Sequence, residues 1–553
     1  MKIERHQVDE ESLRQATEDF TERIGLSVRL EQEGGRDPFG WQLIGDDLLD
    51  YAGARSAANP EIDRDAWTAL HSAAEAHLGA VELEAVPLDV LSISVTYTGT
   101  GVVYHDRSED GERTGRVHEP DWTKALYLWV ITSDPRTRRS TFLRTAEDAD
   151  LSGFGRALCD LVFGDGEHAA DLLGTPRLDE ERALHALATG DRDAFWTAIA
   201  AMLRAPRGDS RPRTLLPLAP LALTALAVRD RGWERRIESG YLPPRLTGGD
   251  GSVRRPRVGP YGADRKSFPV PVTVERPPFP QATTEMADHF DAETPQSVQR
   301  AWEPVEVKHI PYLLVSRAEL QVFRFCWRAE LDPGGRDPRQ WEALELASQF
   351  TAAAYRVATA PGESVEITIG GRTAPMPTAP VTDHLSNFVW LDAIALALIT
   401  ASPERRDLLL GVDPADLTSE WDLPVHRAYH VALRAYLRGE PARPATDRAL
   451  AAVEDAKAAH PHHLGPFAVL LSQLVAGDRE GFAAALADAL EEFRDHYSVG
   501  DREDDCIRQV HLGALALACH ARRDLGWEIP VASAYLPAGI MDPRGAAPGS
   551  AGR

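Results

Sequence analysis

LAPLALTALAVRDRGWERRIESGYLP (Leu218–Pro243) and LGALALACHARRDLGWEIPVASAYLP (Leu512–Pro537) are two versions of one segment in a single chain. Half of their positions agree without a gap, among them the rare residues Trp233/Trp527 and Tyr241/Tyr535. Upstream, GDRDAF at Gly190–Phe195 is answered by GDREGF at Gly477–Phe482. Further upstream, WTKALYLWVITSDPRTR (Trp122–Arg138) aligns on WLDAIALALITASPERR (Trp390–Arg406), and Trp67, Ala69, Leu70 and Ala73 fall on Trp341, Ala343, Leu344 and Ala347. Blocks that recur in one order with small changes of spacing mean that the repeating unit is a whole domain, not a short solenoid module.

The quoted segment also decides the fold class. Leu218–Val228 and Leu512–Ala521 are apolar nearly all round, which predicts a central helix in each copy, stopped at Gly232 and Gly526 and carrying Arg229 or Arg523 near its end. Tyr-Leu-Pro is expected to leave in extended form. Ala183–Gly190, Asp193–Ala205 and Gly481–Phe493 carry apolar residues at every third or fourth position and read as amphipathic helices. One β element interrupts each copy: Val365–Ile369 before Gly370-Gly371-Arg372-Thr373, and Leu91–Tyr97 before Gly99 and Gly101. The expected fold is mainly α, with two homologous helical domains that each carry a small β-hairpin insertion.

A length of 553 residues suits two domains, since single cores stop growing near roughly 250–300 residues. The expected division is a divergent helical domain over 1–246, a Gly/Pro-rich linker over 247–284, a second helical domain over 285–542 and a disordered tail over 543–553. Arg254, Arg255, Arg257, Arg265 and Lys266 make the linker locally basic, and in an acidic protein they are expected to tether it to a neighbouring surface. A hydrophobic content of 43% with 26% charged residues provides enough apolar side chains for a packed core in each half.

The formal charge of −25 repels nucleic-acid phosphates and anionic lipid, and favours a basic protein partner. Cys159, Cys326, Cys506 and Cys519 form no CxxC and do not match between copies, so they read as reduced core thiols. The segment MKIERHQVDEESLRQ lacks an apolar h-region, and a cytoplasmic location is expected. The most apolar uncharged run, Thr214–Val228, holds Pro217 and Pro220 and is shorter than the roughly 20 residues of a membrane span.

No nucleophile elbow, Walker loop, HExxH or EF-hand loop occurs in the sequence. His426 and His430 (HRAYH) share a helix face, but they lack the glutamate of a zincin and an obvious third ligand. His460, His462 and His463 flank a proline and read as a surface loop. Thr98–Gly101 (TGTG) has too few glycines for a phosphate cradle. The duplicated Trp and Tyr residues are expected to pack. Acidic clusters at Glu109, Asp110 and Glu112, and at Asp501, Glu503, Asp504 and Asp505, can face a basic partner; the second cluster is the candidate partner-binding site. No catalytic residue, metal or cofactor is expected.

In the second half, AELDP (Ala329–Pro333), VEITIGGRTAPMPTAP (Val365–Pro380), FVWLDAIALALI (Phe388–Ile399), the acidic helix after GDRE at Gly477 and the closing LGALALACHARRDLGWEIPVASAYLP follow one another in an order that resembles the immunity 49 family. These proteins are encoded beside toxins in bacterial polymorphic toxin systems. The resemblance spans Glu319–Ile540 and, through the repeat, Leu48–Leu246. It implies an antitoxin that protects its producer by binding a cognate protein toxin. The alternative is a non-catalytic helical scaffold whose two halves bind separate partners.

Overall fold

The structure is a computed structural model that describes all residues except 35–36, 86–89, 106–116, 165, 206–209, 249–255, 418, 420–421, 460–463 and 543–553. The expected tail and the clusters at Glu109–Glu112 and His460–His463 therefore lie outside the described residues. The chain divides into two compact units, Met1–Arg255 with Val499–Asp501, and Pro256–Ser498 with Arg502–Arg553. The fold is mainly α.

In the first unit the principal elements are α1 (Phe20–Gly34), α2 (Pro38–Ala58), α3 (Arg64–Glu84), a hairpin of β1 (Val90–Val95) and β2 (Thr100–His105), α4 (Glu119–Thr132), α5 (Asp179–Thr189), α6 (Arg192–Arg204) and α7 (Leu218–Ala225). The second unit repeats the order with α8 (Thr284–Arg300), α9 (Ile310–Leu331), α10 (Pro338–Thr359), β3 (Ser364–Ile369), β4 (Arg372–Pro377), α11 (Asn387–Ile399), α12 (Ala468–Ala476), α13 (Arg479–His496) and α14 (Leu512–Arg523). The sequence blocks sit on equivalent elements. In both GDR blocks the aspartate is an N-cap: Asp191 accepts from the N–H of Ala194 at 3.0 Å and Asp478 from that of Gly481 at 3.0 Å. These caps start α6 and α13 one or two residues before the apolar periodicity does.

The central helices are α4 and α11, buried on nearly every side from Ala125 and Ala393 onward, and the closing helices α7 and α14, expected at the centre from their apolar sequence, pack against them. Trp122 Nε1 donates to the carbonyl of Phe142 at 3.2 Å, and Trp390 Nε1 to that of Leu409 at 3.0 Å, so the duplicated tryptophan ties each central helix to the short helix after it, Arg139–Ala149 or Pro403–Leu410. At the other end, Arg229 Nη1 donates to the carbonyl of Val130 at 3.0 Å, and Arg523 Nη1 to that of Ile399 at 2.6 Å. The last turn of the closing helix thereby caps the orphan carbonyls of the central one.

After the helix stop, Gly232 and Gly526 adopt φ of +65° and +67°, which L-residues rarely adopt. Trp233 then packs edge-on against Phe195 at 5.3 Å, and Trp527 against Phe482 at 5.6 Å.

Three local expectations change. The last turn of the first closing helix is a π-helix, Leu226–Asp230, where α14 stays regular. Strand β1 ends at Val95, with Thr96–Gly99 forming the turn, so TGTG serves the hairpin. Tyr-Leu-Pro is not extended. Ser239 Oγ accepts from the N–H of Tyr241 at 3.2 Å and Ser533 Oγ from that of Tyr535 at 3.2 Å, and these serines close a turn.

The extended residues come just before that turn and pair with a segment that sequence comparison did not align. The N–H of Ile3 donates to the carbonyl of Glu238 at 3.0 Å, and that of Val274 to Ala532 at 2.9 Å. Ile3-Glu4-Arg5 therefore corresponds to Val274-Glu275-Arg276. Arg5 donates to the Ser56 carbonyl at the end of α2 at 2.9 Å, and Arg276 to the Ala329 carbonyl near the end of α9 at 2.8 Å. Residues 256–284 of the Gly/Pro-rich stretch lie within the second unit. There Arg257 reaches Asp488 and Glu491, and Arg265 reaches Asp478 and Glu480.

Each hairpin is held from below by equivalent side chains. Glu75 on α3 accepts from the N–H of Thr96 at 2.7 Å, and Gln349 on α10 accepts from that of Gly370 at 2.8 Å. Glu75 is buried, and burial outweighs the hydrogen bonds from Thr96 to push its carboxyl up to about 7. An acid whose folded pKa is raised loses stability as pH climbs from the ordinary glutamate range toward 7. Glu75→Gln keeps an acceptor and removes the titration. Its urea midpoint should therefore gain steadily on that of the wild-type protein between about pH 4.5 and about pH 7, whereas Glu75→Ala should be less stable throughout. Arg229→Ala and Arg523→Ala should each cost about 2 kcal/mol in urea unfolding of the corresponding unit, because each leaves buried carbonyls unmet.

Candidate functional site

Asp501, Glu503 and Asp504 fall on the single-turn helix Gly500–Asp504, and Asp505 joins it to the next, Cys506–Gln509. Asp501 groups with the first compact unit, and Glu503, Asp504 and Asp505 with the second. The latter three are exposed. Asp505 is an N-cap whose carboxylate accepts from the N–H of Ile507 at 2.9 Å. Asp504 accepts from the Gln281 side-chain amide, and the buried Arg508 guanidinium donates to the Glu503 carbonyl. The turn thus presents carboxylates to water on a backbone held by a buried cation.

A second acidic feature appears only when the copies are compared. In the first unit Asp46 on α2 sits among Lys124 of α4, Arg213 and, at 3.4 Å, His77. Burial alone would raise the Asp46 carboxyl, but these neighbours hold it well below the usual range. Asp50 completes the cluster, accepting from Arg213 Nε at 2.8 Å. In the second copy the positions of Asp46 and Lys124 are taken by Glu319 and Asp392. Among the described residues no cation is recorded pairing with either. Partial burial, aided by the nearby Glu319, pushes the Asp392 carboxyl up to about 7, and burial also raises that of Glu319. Where the first copy neutralises a carboxylate with its own lysine, the second leaves two acids together.

The histidine pair on the helix Pro424–Leu437 is built into the core. His430 stacks on Trp390 with ring centroids 3.5 Å apart, and its Nδ1 lies 2.8 Å from Asn387 Oδ1. Burial pulls its pKa down to about 3. His426 packs on Phe388 and approaches Asp422 at 3.7 Å. Among the described residues no three His, Cys, Asp or Glu side chains converge on a metal position. The four cysteines are free thiols. Among the described residues no helix is long and apolar enough to cross a membrane.

Sequence reading missed a buried ionic ladder on α9. Arg324 and Arg328 are one turn apart within RFCWR and almost wholly buried. Arg324 Nε donates to Asp291 at 2.5 Å and Nη2 to Glu342 at 2.9 Å. Arg328 reaches Asp288 at 2.9 Å, Asp337 at 3.1 Å and the second oxygen of Asp291. Two arginines at helical spacing within an apolar helix were the available signal. The ladder joins α8, α9 and the start of α10. Each cation is met by carboxylates, as burial of charge requires.

The closing block, the capped GDR helices and the hairpin latch recur around both central helices, and a known family model covers the first two in both copies and the latch in the second. Immunity protein 49 matches residues 164–246 and 332–540, a little over half of the chain. The chain belongs to the immunity protein 49 family. The family match reaches both copies, covering only the later part of the first and most of the second. No curated protein and no solved structure matches the chain.

The cap at Asp505 separates charge from folding in this family member. Asp505→Ala should lower stability by about 1 kcal/mol, whereas Asp505→Asn should keep the cap and lie within about 0.5 kcal/mol of wild type in thermal unfolding.

Proposed function

We propose that this protein is an antitoxin that binds a cognate polymorphic toxin stoichiometrically in the cytoplasm and blocks it, without catalysis. The observation that carries this reading is the immunity protein 49 match falling on both copies of the duplicated domain. The acidic character of the chain supports a basic toxin as partner, because complementary charge raises association rates by roughly ten- to a thousandfold and so suits an antidote that must act quickly. The exposed turn at Glu503, Asp504 and Asp505 is the group we assign to attracting that charge at long range during approach.

The test is co-expression with the toxin domain encoded beside the gene. Wild-type chain should restore growth. Soluble expression without rescue would overturn the reading. In stopped-flow binding, Glu503→Gln/Asp504→Asn/Asp505→Asn should slow association roughly tenfold at low ionic strength, with a smaller deficit at high salt. An association rate indifferent to salt in the wild type would remove the electrostatic part.

A further inference from the structure

The two copies share a fold, so a surface on which they differ in kind is free of the fold's demands. One such surface is the hairpin of α1 and α2 with the neighbouring strand β2. Leu26 and Leu30 of α1 are 50% and 55% exposed, Phe39 and Leu43 of α2 are 62% and 52% exposed, and Val103 of β2 is 53% exposed. Each pair is spaced four residues apart and therefore shares one helix face.

The elements lie side by side. The Glu31 carboxylate of α1 occupies the space a side chain on Gly40 of α2 would need, and Gln32 Nε2 at the end of α1 donates to the carbonyl of Gly101 in β2 at 2.9 Å. Leu30 and Phe39 are the immediate chain neighbours of Glu31 and Gly40, and Val103 lies two residues beyond Gly101. The five exposed side chains thus stand on three adjoining elements, unlike single scattered hydrophobics.

The second copy shows that folding does not require it. Phe20, Ser27 and Val28 of α1 recur as Phe290, Ser297 and Val298 of α8, which sets Leu26 on Gln296 and Leu30 on Arg300. Pro38 and Arg55 of α2 recur as Pro311 and Arg328 of α9, which sets Leu43 on Ser316 and Phe39 on Tyr312. Gln296, Arg300 and Tyr312 are exposed like their counterparts. A site that takes Gln, Arg and Ser in one copy has no packing reason to hold three leucines in the other.

We propose that this surface of the first copy is where the toxin docks, through an apolar patch of its own rimmed by basic side chains. The charges around the leucines argue for that occupant. Exposed Glu22 and Glu33 flank Leu26 and Leu30 on the same stripe of α1, and Asp37 and Asp47 flank Phe39 and Leu43 on α2. Among the described residues the nearby cations are Arg29 and Arg23, and Arg23 already lies 3.9 Å from Asp47. A second copy of this acidic chain would bring like charges together, and an anionic lipid surface would be repelled. Apolar contacts at the centre with a charged rim match the anatomy of a specific protein interface. The inference rests on the antitoxin reading and adds a face and a partner chemistry to it.

The second copy supplies the substitutions for a test. Leu26→Gln/Leu30→Arg/Leu43→Ser installs residues that this fold already carries. Calorimetric titration with the purified toxin domain encoded beside the gene should give a Kd weakened at least about tenfold, with an unchanged melting temperature. Gln296→Leu/Ser316→Leu in the second copy should leave the Kd unchanged. Should the triple variant unfold, benzoylphenylalanine replacing Leu30 in an otherwise native chain should crosslink to the toxin on irradiation, and replacing Arg300 should not. Equal binding by the wild type and a folded triple variant, or no crosslink from position 30, overturns the docking face while the antitoxin reading stands. Sedimentation showing a wild-type dimer that the triple variant abolishes, or a loss of binding to phosphatidylglycerol vesicles, assigns the face to another occupant and also overturns it. Absence of any binding by the wild type removes the antitoxin reading itself, and this inference with it.

Discussion

A helix that is apolar on every side must lie at the centre of its domain, and its final carbonyls are then too far from water to be hydrated. In both copies that demand is met by one arginine. Arg229 and Arg523 leave the last turn of the closing helix and donate to the carbonyls that end α4 and α11. Once that contact is fixed, the closing helix has one position. The glycine stop, the tryptophan on the preceding amphipathic helix and the serine-closed turn before Pro243 and Pro537 follow as a continuous run. The closing block is the longest similar stretch of the two copies because its shared Arg, Gly, Trp and Ser residues serve this constraint.

The short strand after the block extends the dependence to the beginning of each copy. Ile3 pairs with Glu238 and Val274 with Ala532, and the adjacent Arg5 and Arg276 reach the carbonyls near the end of the second long helix. The start and finish of each domain therefore meet at one place. This also accounts for basic and apolar residues within a stretch whose glycine and proline content suggests a simple tether.

Some of the differences between the copies face water or half-buried clefts. Lys124 becomes Asp392, Asp46 becomes Glu319, and the leucines of α1 and α2 become Gln296, Arg300 and Ser316. A pair of domains that keep one fold while such surface positions change in kind is the pattern expected when the fold is a scaffold and the changed surface meets another molecule. Membership of the immunity protein 49 family gives that molecule a general character, and the surface differences supply the positions at which to look for it.

The sequence by itself determined the duplication, the mainly α class, the apolar and amphipathic helices, the hairpins and the family, because each is written in local periodicity, in glycine and aspartate at fixed offsets, or in residues that recur in order. Histidines 426 and 430 show its limit, since helical spacing places them on one face but cannot say that Trp390 and Phe388 lie against them. Tertiary structure alone decided which carboxylates are paired. Asp505 reads as one of several acids in a row, and only the turn makes it a cap; Glu319 and Asp392 are distant in sequence and become neighbours through packing. The exposed leucines carry the same lesson. Their spacing is that of a buried helix stripe, and the missing fact is which side of the helix the rest of the chain covers, a property of the folded assembly that no local pattern contains.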